Sequence, residues 1–254
     1  MNILLTGGNG YVAKSIIARF KNDHPITIIT RQDFDLTNGK SLSDWLETKY
    51  FDVVLHTAIV GGNRLIADRP SVLDENLSMY FNLVNNKDHF GKLITFGSGS
   101  QYLSDTPYGK SKAVINESVE NNLNFYDLRI FGVFDQNEMS SRFIKANMLR
   151  YLKKEPMIIH TNKIMDFIYM QDLISTVEYY MINSNLAKDI NCCYEEKYTL
   201  KTIANMINSL DTHKVPIITE NKTQLEFYCG DCNLPPINLV GLRQGIENVF
   251  KCLR

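Results

Sequence analysis

The sequence has almost no net charge: 27 Lys and Arg stand against 28 Asp and Glu, leaving -1 at pH 7. That balance excludes an overall field able to gather nucleic acid or an anionic membrane, so partners must be met through local sites. No apolar run reaches the roughly 18 residues of a membrane span. The opening segment, Met1-Asn2-Ile3-Leu4-Leu5-Thr6-Gly7, lacks the basic stretch, long apolar core and cleavage site of an export signal, and the cytoplasm is the expected location. Cysteine is sparse, five residues and an odd count, which reads as reduced thiols rather than a disulfide framework. Cys229-Gly230-Asp231-Cys232 has the Cys-x-x-Cys spacing. No second pair at metal spacing accompanies it, and it does not open a thioredoxin-like helix, so no metal site is expected.

What is present is a chain of 254 residues, 44% hydrophobic, long enough for a full core. Its first half alternates short apolar runs with longer amphipathic stretches. The runs Ile3–Leu5, Ile26–Ile29, Val53–Leu55, Lys92–Phe96 and Asn124–Ile130 read as strands. Between them, Tyr11–Lys21, Ser41–Lys49, Pro70–Lys87 and Gly109–Asn121 read as helices. Strands apolar nearly throughout are those covered by helices on both faces, which predicts an α/β fold with a doubly wound parallel Rossmann sheet. After Gly132 the pattern loosens, with helices at 140–153, 170–182, 200–209 and 240–251 and only short strands and polar loops between them. The expected division is a cofactor-binding Rossmann domain at 1–132 and a smaller α/β substrate lobe at 133–254, interleaved with the first at the carboxyl ends of the strands.

The turn Thr6-Gly7-Gly8-Asn9-Gly10-Tyr11-Val12-Ala13 joins the first strand to the first helix. Gly7 permits a tight turn, Gly10 lets the backbone approach a diphosphate, and the helix start offers N–H groups and positive potential. Tyr11 and Val12, at that helix start, join the two glycines as candidate cofactor contacts. The next discriminator is the end of the second strand. An acidic residue there suits the ribose of NAD, a cation the 2′-phosphate of NADP. Arg31 is the first charge, and its guanidinium can grip a phosphate with two hydrogen bonds, so NADP(H) is expected ahead of NAD(H). Asp33 remains able to serve a ribose, and Asp35 is a further candidate contact.

Tyr108-Gly109-Lys110-Ser111-Lys112 puts a phenol and an ammonium four residues apart on one helix face. A free phenol titrates near pH 10, and a neighbouring cation favours its ionised form, bringing it toward useful acid–base strength. Ser98, just beyond the fourth strand, can donate to the same substrate oxygen. Glycine loop, strand-end Ser and Tyr-x-x-x-Lys follow in the order that brings them together at the switch point of the sheet. His56 and Trp45, by contrast, read as packing residues.

These motifs, with Asp52–Ala58, Asn76, Gly97–Tyr102, Leu128–Gly132 and Asp166–Tyr169, give the chain its resemblance to the extended short-chain dehydrogenase/reductases of the NAD-dependent epimerase/dehydratase family. Within it the chain is most similar to the GDP-L-fucose-synthase-like 4-keto-sugar reductases. The resemblance implies an NADPH-dependent reduction at C4 of a nucleotide-linked 4-keto-6-deoxy sugar, and a homodimer. It makes Tyr108 the proton donor, Lys112 the holder of the nicotinamide ribose and Ser98 the residue that polarises the carbonyl. It also implies Thr57, Ala58 and Asn76 at the cofactor, and Gly61, Gly62, Ser100, Arg142 and Lys163 at the substrate. Ser100 and Arg142 stand where fucose synthases carry a Cys and His for epimerisation. Ser is too weak and Arg too firmly protonated for that work, so plain reduction is preferred. Met165 stands where relatives place an Arg facing the diphosphate, which leaves Lys163 or Arg142 for that charge. The alternatives are a 4-epimerase, a reductase of a smaller carbonyl, and a protein that binds NADP without chemistry.

Overall fold

The computed structural model describes residues 1–63, 66–103 and 105–254. Two compact units divide the chain: residues 1–129 with 177–190, and residues 130–176 with 191–254.

The first unit is built on strands β1 (Ile3–Thr6), β2 (Ile26–Ile29), β3 (Phe51–His56), β4 (Phe90–Thr95) and β5 (Phe125–Ile130). They alternate with helices α1 (Tyr11–Phe20), α2 (Gly39–Leu46), α3 (Val72–Val84) and α4 (Pro107–Glu120). β1 pairs in parallel with β2 on one side and β3 on the other, and β3–β4 and β4–β5 are parallel as well. The central sheet is the expected parallel α/β sheet. It has six strands, in the order β2-β1-β3-β4-β5-β9, the sixth being β9 (Asp189–Cys192). Leu4, Val54 and Leu93 of neighbouring strands are fully buried and pack with Leu42, Leu46, Leu83 and Val119 from the helices, as apolar strands flanked by helices require. Because successive crossovers leave β1 in opposite directions, to β2 and then to β3, a crevice opens at their carboxyl ends. The loops that follow β1 and β3 are therefore the ones brought face to face.

Local chemistry sets the helix starts. Asn38 caps α2 by accepting the Ser41 N–H at 3.1 Å, and Thr106 caps α4 by accepting from Gly109 at 3.0 Å, with Pro107 in the first turn. Trp45 lies on α2 with its ring stacked on Phe51, 6.0 Å between centroids.

The second unit holds β6 (Val133–Phe134), α5 (Phe143–Leu152), β7 (Met157–Met165), β8 (Ile168–Tyr169), α7 (Leu200–Asn208), β10 (Ile217–Tyr228) and α8 (Leu242–Leu253). The division between the units falls within α6 (Met170–Ile182) and β9. Where only short strands were expected after Gly132, β7 and β10 run nine and twelve residues and pair in parallel, with a register shift between Asn221 and Glu226. Its core gathers Met148, Tyr151, Ile159, Met165, Ile203 and Phe250. Buried Asp172 fastens this unit, accepting the backbone N–H groups of Val240 at 2.7 Å and Gly241 at 2.9 Å. No helix among the described residues is long and apolar enough to cross a membrane.

Candidate active site

The turn after β1 presses against the loop after β3. Gly7 has φ +71°, and a Cβ there would lie 2.6 Å from the Ala58 nitrogen. Thr57 Oγ1 donates to the Thr6 carbonyl at 2.6 Å, and Ala58 N–H to Thr6 Oγ1 at 3.3 Å. His56 completes this seam through a 2.8 Å contact between its Nδ1 and Thr6 Oγ1. Burial lowers the pKa of His56 to about 3, with Lys112 adding to the effect, so its imidazole is neutral and serves packing.

The seam borders a cavity of about 470 Å³ lined by Gly7, Asn9, Gly10, Arg31, Asp35, Thr57, Ala58 and Gly61 among others. Its apolar lining includes Ile29, Phe34 and Leu36, from β2 and the loop after it, and Met79 of α3. Tyr11 and Val12 open α1 but do not line the cavity. Gly10 is the N-cap of α1 and contributes no side-chain cap, and the first turn carries no acid. The positive end of the helix is thus left for an anion. The residues present fit a dinucleotide: a glycine turn, a helix start with no acid in its first turn, apolar side chains able to meet a nucleobase and a cation in the lining.

The acids near Arg31 are engaged. Asp33 Oδ2 accepts from both the N–H and the hydroxyl of Thr30, and Asp35 Oδ1 accepts from the N–H and hydroxyl of Thr37. These bonds hold both carboxyls below the usual carboxylate pKa. Arg31 is 68% exposed and ion-paired to Glu75 at 3.5 Å.

Tyr108 and Lys112 occupy the first and second turns of α4. Lys112 is buried, its Nζ 5.8 Å from the centre of the Tyr108 ring and donating to the Phe96 carbonyl at 2.5 Å. Burial brings the ammonium down to about 8, opposed by the carboxylate of Asp127. Asp127 is itself buried under Gly97 and accepts from Thr95 Oγ1 at 2.6 Å. Gly109 lets the start of α4 close on the turn that carries Ser98, since a Cβ there would lie 2.7 Å from the Ser100 carbonyl oxygen. Ser98 is buried, and its Oγ accepts the Ser100 N–H at 3.2 Å. Serine, phenol and ammonium therefore share one corner of the first unit.

Asp68, which the motifs do not single out, helps to organise that corner. Asp68 accepts the Gly62 N–H through Oδ1 at 2.8 Å and the Tyr108 N–H through Oδ2 at 3.3 Å, tying the loop after β3 to the start of α4. Gly61 and Gly62 have φ +81° and +71°, and a Cβ on Gly62 would sit 2.8 Å from the Tyr108 ring. Asn76 was expected at the cofactor. In the structure it is fully buried, its amide bonded to Val60 N–H and C=O and to Ser111 Oγ, and it braces the β3 loop against α4.

In the second unit, Arg142 caps α5 through its backbone, and Lys163 lies on β7 with its ammonium 5.8 Å from the centre of the Tyr228 ring. Met165 is 2% exposed and belongs to the core, so it packs rather than faces a ligand. Asp166 pairs with Lys197 at 2.9 Å. All five cysteines are free thiols. Cys232 Sγ donates to the Cys193 carbonyl, and no metal-type cluster of His, Cys, Asp or Glu occurs among the described residues.

A parallel sheet with a glycine turn at its switch point and a Ser/Tyr/Lys corner beside it defines an oxidoreductase-type Rossmann protein of the extended short-chain dehydrogenase/reductase class. The chain belongs to the NAD dependent epimerase/dehydratase family, whose model matches residues 3–193. It is 32% identical over 120 residues to the GDP-L-colitose synthase of Yersinia pseudotuberculosis, covering 45% of this chain and 39% of that one. A GDP-L-fucose synthase of Azorhizobium caulinodans is 32% identical over 105 residues, 39% of this chain and 34% of its own. The chain thus spans under two fifths of the length of these relatives. MlghC, a GDP-mannoheptose C4 reductase from Campylobacter jejuni solved with NADP bound, superposes with a TM-score of 0.80 at 17% identity, over 99% of this chain and 98% of that one. At that identity the likeness speaks for the fold.

Proposed function

We infer that the protein is an NADPH-dependent reductase of a nucleotide-linked 4-keto-6-deoxy sugar. One observation carries the reading: Tyr108, Lys112 and the Ser98 turn converge in the same unit as the glycine-lined cavity. Gly7, Gly10 and the start of α1 would hold the diphosphate of the cofactor, Arg31 its 2′-phosphate and Lys112 its nicotinamide ribose. When bound, NADPH supplies a hydride to the carbonyl carbon. Tyr108 Oη gives its proton to the carbonyl oxygen, and Lys112, charged below about pH 8, stabilises the phenolate left behind. Ser98 Oγ donates to the same oxygen and orients it. Ser100, Arg142 and Lys163 are assigned to the nucleotide sugar, with the two cations available to its diphosphate. GDP as the carrier is supported by the names of the two sequence relatives, and C4 reduction with NADP by that of the heptose reductase. A second reading, 4-epimerisation or reduction of a smaller carbonyl, draws support from Met165, which brings no charge to a diphosphate.

The test is a panel of GDP-, UDP- and dTDP-linked 4-keto-6-deoxy sugars with NADPH, followed by loss of reduced-cofactor absorbance. Consumption is expected with a GDP sugar, with the rate falling as pH rises past about 8 and Lys112 loses its proton. A protein that binds NADPH but turns over no member of the panel would end this reading.

Gly62→Ala probes the same corner. The added methyl meets the Tyr108 ring at 2.8 Å in a backbone region that disfavours side chains, so the ring must turn. Turnover should fall about tenfold or more, because a misplacement of about 1 Å already costs heavily in a positioned reaction. NADPH affinity should hold within about twofold, as judged by fluorescence titration. Unchanged turnover would mean that the ring position does not matter.

A further inference from the structure

Beside Arg31, which lines the cavity, stands a second cation that no motif assigns. Arg69, at the end of the loop that follows β3, pairs with Glu75 at 2.8 Å, and Arg31 pairs with the same carboxylate from the end of β2. Two guanidinium groups from separate segments thus converge on one carboxylate in the early part of α3. Glu75 is the more sheltered partner, 22% exposed against 60% for Arg69 and 68% for Arg31. Arg31 lines the cavity, and so does Gly61, which packs against Asp68, the neighbour of Arg69.

We propose that Arg31 and Arg69 form a two-armed seat for the 2′-phosphate of NADP(H), and that Glu75 occupies and tunes that seat. The proposal rests on the cofactor reading given above. A guanidinium fork matches two oxygens of a carboxylate or of a phosphate equally well, so the geometry that holds Glu75 also suits a phosphomonoester. The phosphate carries close to two negative charges against one on Glu75 and outcompetes it for the forks. Glu75 stays beside the phosphate as a like charge, which weakens NADPH relative to NADH. Of the neighbouring acids, Asp33 is bonded to Thr30 and Asp35 to Thr37, and neither forms an ion pair with the arms as Glu75 does. Arg69 and Glu75 are therefore specificity-determining residues, outside the Tyr108 and Lys112 machinery.

The experiment is a titration of the full chain with NADPH and with NADH, by cofactor fluorescence, for wild type, Arg31→Ala, Arg69→Ala and Glu75→Gln. Each arginine variant should weaken NADPH by about tenfold, as expected for a charge-assisted phosphate contact, and leave NADH within about twofold. Glu75→Gln should tighten NADPH by about threefold or more and spare NADH. Raising salt should erode NADPH affinity faster than NADH affinity in wild type, and less so in Arg69→Ala. If Arg31→Ala lowers the NADPH preference but Arg69→Ala and Glu75→Gln leave it unchanged, the two-armed seat is refuted and the NADP reading stands. If Arg31→Ala also leaves it unchanged, the NADP reading itself fails.

Discussion

Tyr108→Phe should lower turnover by about a thousandfold, within the range that a positioned proton donor contributes, while leaving NADPH affinity and thermal stability close to wild type. The phenol sits in the first turn of α4, where Thr106 caps the helix and Pro107 sets its first dihedral, so the backbone that carries the ring is fixed by the helix start. Its backbone N–H is held by Asp68, and its face rests on the Gly62 peptide. Removing one oxygen takes away the proton donor and leaves these backbone supports in place. The prediction is checked by comparing kcat with NADPH affinity in the same preparation. Turnover within about tenfold of wild type would mean that another group protonates the product, and Tyr108 would lose its assigned role.

The placement of that phenol is partly written along the chain and partly not. β1, β3 and β4 announce themselves because both faces are buried, which leaves runs such as Val53-Val54-Leu55 with no polar alternation to confuse them. Ser98, Tyr108 and Lys112 announce themselves through order, since a strand end and the next helix start are necessarily neighbours in a parallel sheet. β9 does not, because Asp189-Ile190-Asn191-Cys192 alternates too briefly to separate from a loop, and Asn191 is buried although polar. β7 and β10 were under-read for a related reason. They carry His160, Asn162, Lys163, Glu220 and Asn221 among their apolar residues, so their period of two is broken before a strand can be inferred.

The braces of the site are the least legible part. Asp68 reaches Tyr108 across 40 residues and Asn76 reaches Ser111 across 35, and single amides or carboxylates carry no periodic signal. A family resemblance points to Asn76 as important but not to what it does. Both of its amide hydrogens go to Val60 and Ser111 and its oxygen accepts from Val60, which only coordinates can reveal. The apolar wall has the same character. Phe34 and Leu36 look like stray hydrophobics in a polar loop until Met79 of α3 meets them at one cavity.

Gly7→Ala should be the most damaging small change in the first unit, and Gly10→Ala shows why. At Gly7 the backbone has φ +71°, and the new methyl would lie 2.6 Å from Ala58 N, 2.7 Å from Ala58 Cα and 2.9 Å from the Thr57 carbonyl carbon. All three are backbone atoms of the β3 loop, so no rotamer change relieves the overlap, and the two loops of the switch point must separate. A left-handed conformation costs about 1–2 kcal/mol for a residue with a Cβ, and forced overpacking adds about 1–3 kcal/mol. At about 2–4 °C per kcal/mol for a chain of this size, the melting temperature should drop by about 5–20 °C. Gly10 has φ -69°, which any residue adopts, and its methyl would meet only the Gly7 carbonyl oxygen at 3.2 Å and Ala13 Cβ at 4.0 Å. Gly10→Ala should therefore melt within about 2 °C of wild type. It should still lose NADPH affinity by about tenfold, because the methyl stands where the backbone must admit a diphosphate. Calorimetry and cofactor titration on both variants separate the two effects. Full NADPH affinity in Gly10→Ala would remove the diphosphate from this turn, whereas an unshifted melting temperature in Gly7→Ala would show that the loops after β1 and β3 can part without cost.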